Sequence, residues 1–259
     1  MKHFKSLAII GCNGMVGSDL MRYLKPYFKN ITGIDSRNYD QYRGQSFDVV
    51  INANGNSSKV WASKHILGDF EASTTSVYKS LFDFSCKTYI YLSSADVYLD
   101  HTNTKTTRES QIINTDDLSP YGLHKYLSEN IIKNNTKNYL IFRCSMILGT
   151  ILKKGPIYDI LHSKRLFVNS ESAFQMITTE EIAHIIYFLL TINKNNETFN
   201  IGGRETVLFK NLSNYIKKPI VFPKNGEKHI YETNVSKLNK IFSLKTSSEY
   251  LQDLIKNIK

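Results

Sequence analysis

The segment SLAIIGCNGMVGS, residues 6–18, constrains this chain more than any other stretch. Its apolar run reads as a buried parallel strand, and the spacing of Met15, Leu20, Met21 and Leu24 reads as a helix directly after it. Gly11, Gly14 and Gly17 therefore fall at a strand-to-helix turn. Gly11 permits the tight turn, Gly14 lets backbone N–H groups approach a pyrophosphate, and Gly17 lets the helix pack on its strand. The helix N-terminus adds a field that favours negative charge. Asn13, Met15 and Val16 complete this candidate dinucleotide cradle. The spacing is G-x-x-G-x-x-G rather than G-x-G-x-x-G, so a plain glycine turn before a helix is the competing reading.

A second strand, ITGID at residues 31–35, ends on an acid. Asp35 lies 18 residues past Gly17, near the distance of about 20 at which a carboxylate meets the adenosine ribose hydroxyls. That spacing favours NAD as cofactor. Ser36 and Arg37 follow; Arg37 is placed to receive a 2′-phosphate, which keeps NADP as the lesser alternative, and a strand-end turn is the structural alternative for Asp35. The next strand, DVVINANG, runs into a small-residue loop in which Asn52, Ala53 and Gly55 either border the middle of a dinucleotide or form a simple turn.

The later pattern extends this alternation. A helix is predicted over 73–84, a strand over 87–94 (KTYIYLSS), a polar loop over 99–119, and a helix from the Ser119 cap and Pro120 to about residue 132. A strand follows from Tyr139. Strand and helix alternating through residue 148 predict an α/β fold built on a doubly wound parallel sheet. From Gly149 the rhythm changes: a short helix near 157–162, hairpin strands near Leu166 and Phe174, a helix capped at Thr179, a strand at 198–203, strand-like PIVF from Pro219, and helices near 235–242 and 248–258. The expected organisation is a dinucleotide-binding domain over 1–150, to which the chain returns at 176–204, with a small C-terminal substrate-binding lobe from 151–175 and 205–259.

The net charge of +10 raises the question of nucleic acid, but the basic residues are scattered, so no nucleic-acid partner is expected. A positive field instead helps collect an anionic, phosphorylated substrate. Cys12, Cys86 and Cys144 show no metal-ligand spacing and read as reduced thiols of a cytoplasmic protein, with Cys12 serving as a small side chain in the glycine turn. The N-terminus lacks a signal-peptide pattern, and the longest late apolar run, IIYFLL, is too short to span a membrane.

Tyr121 and Lys125 stand four apart on one helical face, the only Tyr-x-x-x-Lys pair in the chain, one strand and loop beyond Ser93 and Ser94. The residue types suit removal of hydride from a carbinol, which needs a base for the hydroxyl proton. A free tyrosine, with a pKa of about 10, is mostly protonated at neutral pH. A neighbouring lysine and an oxidised nicotinamide both favour the phenolate, and a shift of about two units corresponds to roughly 2.7 kcal/mol. Ser94 would hold the same substrate oxygen. His124 is expected to face away from Tyr121 in a structural role, and Trp61 to pack or line a rim.

With these motifs in place, the chain resembles an extended short-chain dehydrogenase/reductase of the NAD-dependent epimerase/dehydratase family. GCNGMVGS, Asp35, SSADVY, YGLHK, FRCSMILG, MITTEEIA and FNIGG carry the likeness over most of the length. The resemblance implies a Rossmann fold, Ser94, Tyr121 and Lys125 as catalytic residues with the last two also touching the cofactor, a small-molecule sugar substrate, and a possible homodimer through the helices beginning near Ser73 and Ser119. Family dehydratases carry two acids after the catalytic Ser or Thr; here Ala95 and Asp96 stand there, which disfavours dehydration and leaves Asp96 as a second acid/base or a loop cap. Phe174 occupies the place of the diphosphate-binding arginine, and Lys153, Lys154, Lys164 and Arg165 are alternative phosphate contacts or solvated surface. The expected activity is epimerisation of an activated, nucleotide-linked sugar. Keto-sugar reduction and non-catalytic dinucleotide sensing are the alternatives.

Overall fold

The structure, a computed structural model, describes residues 4–258, with side chains to residue 256. A six-stranded parallel sheet in the order β2-β1-β3-β4-β5-β9 forms its centre. The strands are β1 (Phe4–Ile10), β2 (Phe28–Ile34), β3 (Ser46–Asn52), β4 (Ser85–Ser94), β5 (Tyr139–Cys144) and β9 (Glu197–Ile201). Residue parity in β1 shows why this sequence makes a doubly covered strand. Leu7 and Ile9 enter the core beneath α1 (Met15–Tyr23) and α7 (Thr179–Thr191), whereas Ala8 and Ile10 enter the opposite core with Val77 and Ile132.

That opposite face is covered by the helical run α2 (Lys59–Lys64), α3 (Ile66–Phe70), a π-helical turn at Glu71–Thr75, and α4 (Ser76–Asp83), followed by α5 (Pro120–Asn135). Ser119 caps α5, its hydroxyl accepting from Gly122 N at 3.3 Å, with Pro120 in the first turn where no N–H is needed. The strand order reverses about β1 and β3, so the glycine turn and the loop after β3 open at the crevice where ligands bind such sheets. Residues 99–119 form the expected loop without helix or strand.

The C-terminal lobe differs from expectation in its pairing. β7 (Ala173–Phe174) makes no hairpin with Leu166; it lies between β10 (Val207–Leu208), antiparallel, and β11 (Ile230–Tyr231), parallel, while Val168 bridges to Glu227. Its partners thus come from segments far along the chain. Strand-like residues 139–148 divide at Ser145, because Ser145 N bonds Ile201 O at 2.8 Å and Met146 N turns to Gln175 O at 3.2 Å; β6 (Met146–Leu148) then pairs with β8 (Met176–Thr178). PIVF is not a strand: Val221 is 86% exposed, while Ile220 and Phe222 are half-buried against the apolar cluster of the lobe. Thr178, not Thr179, caps α7 by accepting from Glu181 N; Thr179 instead donates to the buried Asp19 at 2.6 Å. Short helices α6 (Pro156–Leu161) and α8 (Leu212–Ile216), with α9 (Ser247–Ile258), enclose a separate apolar cluster including Ile157, Phe174, Phe209, Leu212 and Leu251.

Candidate active site

The dinucleotide end begins where β1 stops. Gly11 takes φ +84°, and a Cβ there would meet the backbone of Ala53 and Asn54 at 2.9–3.0 Å; a Cβ on Gly17 would come within 2.1 Å of Gly11 O. Both positions therefore require glycine for close approach of backbone. Gly14 is the N-cap of α1, with extended backbone and no side-chain cap, so the helix presents its first N–H groups outward. Met15 and Val16 contribute backbone at this end: Met15 packs where a Gly149 side chain would stand, and Val16 packs on the main core.

Asp35 receives hydrogen bonds from the Asn13 amide, from Arg37 N at 2.8 Å and from the Arg37 guanidinium at 2.6 Å. The hydrogen bonds from Arg37 hold its carboxyl below the usual range. Arg37 is thereby engaged with the acid, and Ser36 beside it is exposed. Asn52 departs from its expected place. It is buried, donates to Tyr89 OH at 2.8 Å and to Ser80 Oγ at 3.3 Å, and accepts from Asn54 N, so it fixes the loop from behind. Ala53 is half-buried, with its N–H on Ile10 O, and Gly55 takes φ +116°. A Cβ on Gly55 would lie 3.3 Å from Ser73 Oγ and 3.6 Å from Lys125 Nζ. A cleft of about 500 Å³ opens here, lined by Asn54, Gly55, Asn56, Ser58, Trp61 and Ala72.

Ser94, Tyr121 and Lys125 are all buried. Ser94 ends β4; its hydroxyl accepts from Asp96 N at 3.2 Å and donates to Asp96 Oδ2 at 3.0 Å. Lys125 Nζ donates to Leu92 O at 3.1 Å and lies 5.0 Å from the Tyr91 ring centre. Burial pushes the Tyr121 phenol up to about 12; Lys125 and Ser94 pull it down, while Asp96 and Tyr91 add to the rise. The expected phenolate-favouring lysine is thus present but outweighed by desolvation. His124 points away, its Nδ1 2.6 Å from the fully buried Asp69 and its ring edge-on to Phe70. Lys153, Lys154, Lys164 and Arg165 are exposed around α6, and Phe174 is a core residue of the lobe.

Several residues at the site carried no signal of function in the sequence. Gly122, immediately after Tyr121, lets α5 press on the turn after β4: a Cβ would stand 2.2 Å from Asp96 O. Lys59 pairs with Asp96 and with Tyr231 OH, and His101 Nε2 lies 3.6 Å from Asp96 Oδ1. Beneath Ser94, Ser93 donates to Glu129 at 2.6 Å, Arg143 binds both Glu129 oxygens, and Arg143 donates to Tyr98 OH, which donates to Asn200. Burial and the Lys59, Asp96 and Tyr231 contacts arise from segments far apart in sequence. Only the glycine beside Tyr121 could have been noticed locally.

Comparison with known proteins places these features. The chain is similar to a UDP-glucuronic acid 4-epimerase from Bacillus cereus solved with UDP-glucuronic acid and NAD (17% identity, TM-score 0.78, covering 98% of this chain and 100% of that one). It is similar also to a UDP-N-acetylglucosamine 4-epimerase from Methanobrevibacter ruminantium M1 in complex with UDP-N-acetylmuramic acid (18%, TM-score 0.77, 99% and 98%). A dTDP-4-dehydrorhamnose reductase from Bacillus anthracis str. Ames in complex with NADP has the same fold (16%, TM-score 0.78, 99% and 98%). No curated protein matches by sequence. The profile of the NAD dependent epimerase/dehydratase family matches residues 7–202, from β1 through the tyrosine helix to the end of β9, and by that match the chain belongs to this family.

Proposed function

We propose that this protein is an NAD-dependent epimerase of a nucleotide-linked sugar, with Ser94, Tyr121 and Lys125 as its reacting side chains. The observation that carries the reading is the burial of Tyr121 and Lys125 on one face of α5, against the Ser94 turn and beside Gly55. The surrounding residues fit a dinucleotide: the α1 N-terminus has no side-chain cap, and buried Ser73 Oγ, close to Gly55 and Lys125, has no partner among the described residues. The Asp35–Arg37 pair supports NAD over NADP, since the carboxylate sets the charge where a 2′-phosphate would lie and occupies the arginine. When bound, NAD would take a hydride from the carbinol carbon and return it.

Ser94 positions the reacting oxygen, Tyr121 takes its proton and gives it back, and Lys125 places positive charge beside the phenol. With the cofactor bound, return of the hydride to the opposite face would give the isomer with no net redox change, while this chain's part is to hold the oxygen at Ser94 and hand the proton back from Tyr121. One observation favours keto-sugar reduction as a second reading: burial keeps Tyr121 protonated at neutral pH, the state that donates to a ketone. We assign substrate binding to the lobe formed by 151–175 and 205–259, and a homodimer contact to α4 and α5, with Tyr78 and Phe82 exposed on α4. The three free thiols support a cytoplasmic location.

Mass spectrometry and chromatography test the assignment. UDP-glucose, UDP-galactose and UDP-N-acetylglucosamine, incubated with protein and catalytic NAD, should give an isomer of unchanged mass. A 4-keto nucleotide sugar with 4-deuterated NADH instead gives deuterated alcohol if the reductase reading holds. No conversion in either set refutes both.

A further inference from the structure

Asp69, near the end of α3, is fully buried, and its two oxygens each hold a residue adjacent in the chain to the site. Oδ1 accepts from the Asn56 amide at 2.8 Å, and Oδ2 lies 2.6 Å from His124 Nδ1. A carboxylate only accepts, so Nδ1 carries the hydrogen of that bond. Asn56 directly follows Gly55 and lines the cleft beside it; His124 directly precedes Lys125. One buried side chain therefore spans from the loop after β3 to the helix that carries the lysine.

Both arms of this link are stiff. The Asn56 side chain also closes a turn on Ser58, accepting from Ser58 N and donating to Ser58 O, each at 2.8 Å, and Ser58 in turn caps α2 by accepting from Trp61 N. On the helix side, His124 O accepts from Thr74 Oγ1 at 3.2 Å, and Ser128 Oγ donates to His124 O at 2.8 Å and to Ser73 O at 3.3 Å. Ser73 and Thr74 belong to the π-helical turn Glu71–Thr75, a kind of turn frequent at functional sites. That turn is thereby bound to α5 directly beyond Asp69.

We infer that Asp69 is a positioning residue that sets the gap between Gly55 and Lys125, the spacing on which dinucleotide binding and proton transfer depend. This rests on the proposed function and adds to it a residue outside the reacting trio. The gap is narrow: a Cβ on Gly55 would stand 3.6 Å from Lys125 Nζ. Leu92 O in β4 holds the ammonium from one side, and Asp69 holds the loop that faces it. Without the carboxylate, Asn56 and His124 lose their common acceptor, and loop and helix are free to separate. A loop freed in this way must be ordered again when the cofactor binds, which costs affinity.

The test compares Asp69→Ala, Asp69→Asn and His124→Leu with the native protein. Asparagine can keep both links, its oxygen accepting from Asn56 and its amide donating to His124 Nδ1 in the other neutral tautomer. Calorimetric NAD titration, turnover of UDP-glucose with catalytic NAD, melting temperature, and amide hydrogen exchange over residues 53–58 of the cofactor-free protein are measured for each. Asp69→Ala should weaken NAD binding about tenfold, lower kcat on the order of 100-fold with KM for the sugar within about threefold, and speed exchange over 53–58. Asp69→Asn should recover NAD affinity and kcat to within about threefold of native. His124→Leu, which cuts only the helix arm, should also speed exchange over 53–58, a segment reached from it through Asp69. A folded Asp69→Ala with native NAD affinity and exchange overturns the inference, as does a folded Asp69→Asn as impaired as alanine, which would assign the role to charge rather than position. Where Asp69→Ala does not fold, native exchange in His124→Leu overturns it. Conversion of no nucleotide sugar by the native protein defeats the epimerase reading, while NAD affinity and exchange still decide the role of Asp69.

Discussion

Replacing Gly122 with alanine tests whether the approach of α5 to the Ser94 turn sets the reaction geometry. The added Cβ would lie 2.2 Å from Asp96 O, a backbone atom that no rotamer change can move aside. Restoring ordinary contact requires a displacement of about 1 Å between the first turn of α5 and the turn carrying Ser94. Tyr121 precedes Gly122 and moves with it, so the phenol is drawn out of register with the Ser94 hydroxyl. A misplacement of about 1 Å costs on the order of 100-fold in rate. The overpacking costs about 1–3 kcal/mol, offset in part by about 1 kcal/mol of helix propensity gained on leaving glycine. The expected result is a kcat reduced about 100-fold, with a melting temperature lowered by only a few degrees and NAD affinity nearly unchanged, because the Gly11–Gly17 turn is elsewhere. Steady-state kinetics, calorimetry and NAD titration measure the three quantities. A folded Gly122→Ala protein with kcat within threefold of the native value would refute the claim that this contact sets the alignment.

Tyr121→Phe should reduce turnover by a factor on the order of 100 to 10,000 while leaving the dissociation constant for NAD within a few-fold, as read by single-turnover kinetics and fluorescence titration. In the reductive direction the native rate should stay flat between pH 7 and pH 9, because burial pushes the Tyr121 phenol up to about 12 and its acid form persists; a decline centred in that range that is absent from the residual activity of Tyr121→Phe would show that Lys125 and the cofactor outweigh burial in the loaded site. Asp35→Ala should weaken NAD binding about tenfold and leave NADP unaffected or tighter, since it frees Arg37; equal loss for both cofactors would remove the ribose assignment. Arg143→Met leaves Glu129 buried without its main partner and should cost about 3–5 kcal/mol in denaturant unfolding, much of it recovered in Arg143→Met/Glu129→Leu; a loss below 1 kcal/mol would show that the pair is not isolated from water.

The parts of the molecule legible from its sequence are those whose causes are local. The glycine turn, the Ser119–Pro120 helix start and the i, i+4 spacing of Tyr121 and Lys125 each lie within about one or two helical turns of chain, where backbone sterics and periodicity act directly. Asn52 shows where a local reading went too far. Its small-residue surroundings suggested the crevice, yet strand parity puts it on the same side as Val50, in the layer with Tyr89 and Tyr91, and its amide is consumed there. That outcome follows from alternation alone once β3 is known to end at Asn52.

The Lys59, Asp96, His101 and Tyr231 cluster is different in kind. No periodicity links residue 59 to residue 231; they meet because β11 pairs beside β7, and Phe174 in β7 supports the Tyr231 ring. The same substitution that reads as a missing phosphate-binding arginine therefore has a structural consequence. An arginine at 174 would place a charged side chain where Phe174 packs against Phe209 and Tyr231, at ring separations of 4.8 and 5.4 Å, within the apolar cluster of the lobe. With phenylalanine there, the lobe is closed by aromatic packing and Tyr231 is held to reach Lys59. On the proposed function, contact to a substrate phosphate then falls to residues other than Phe174.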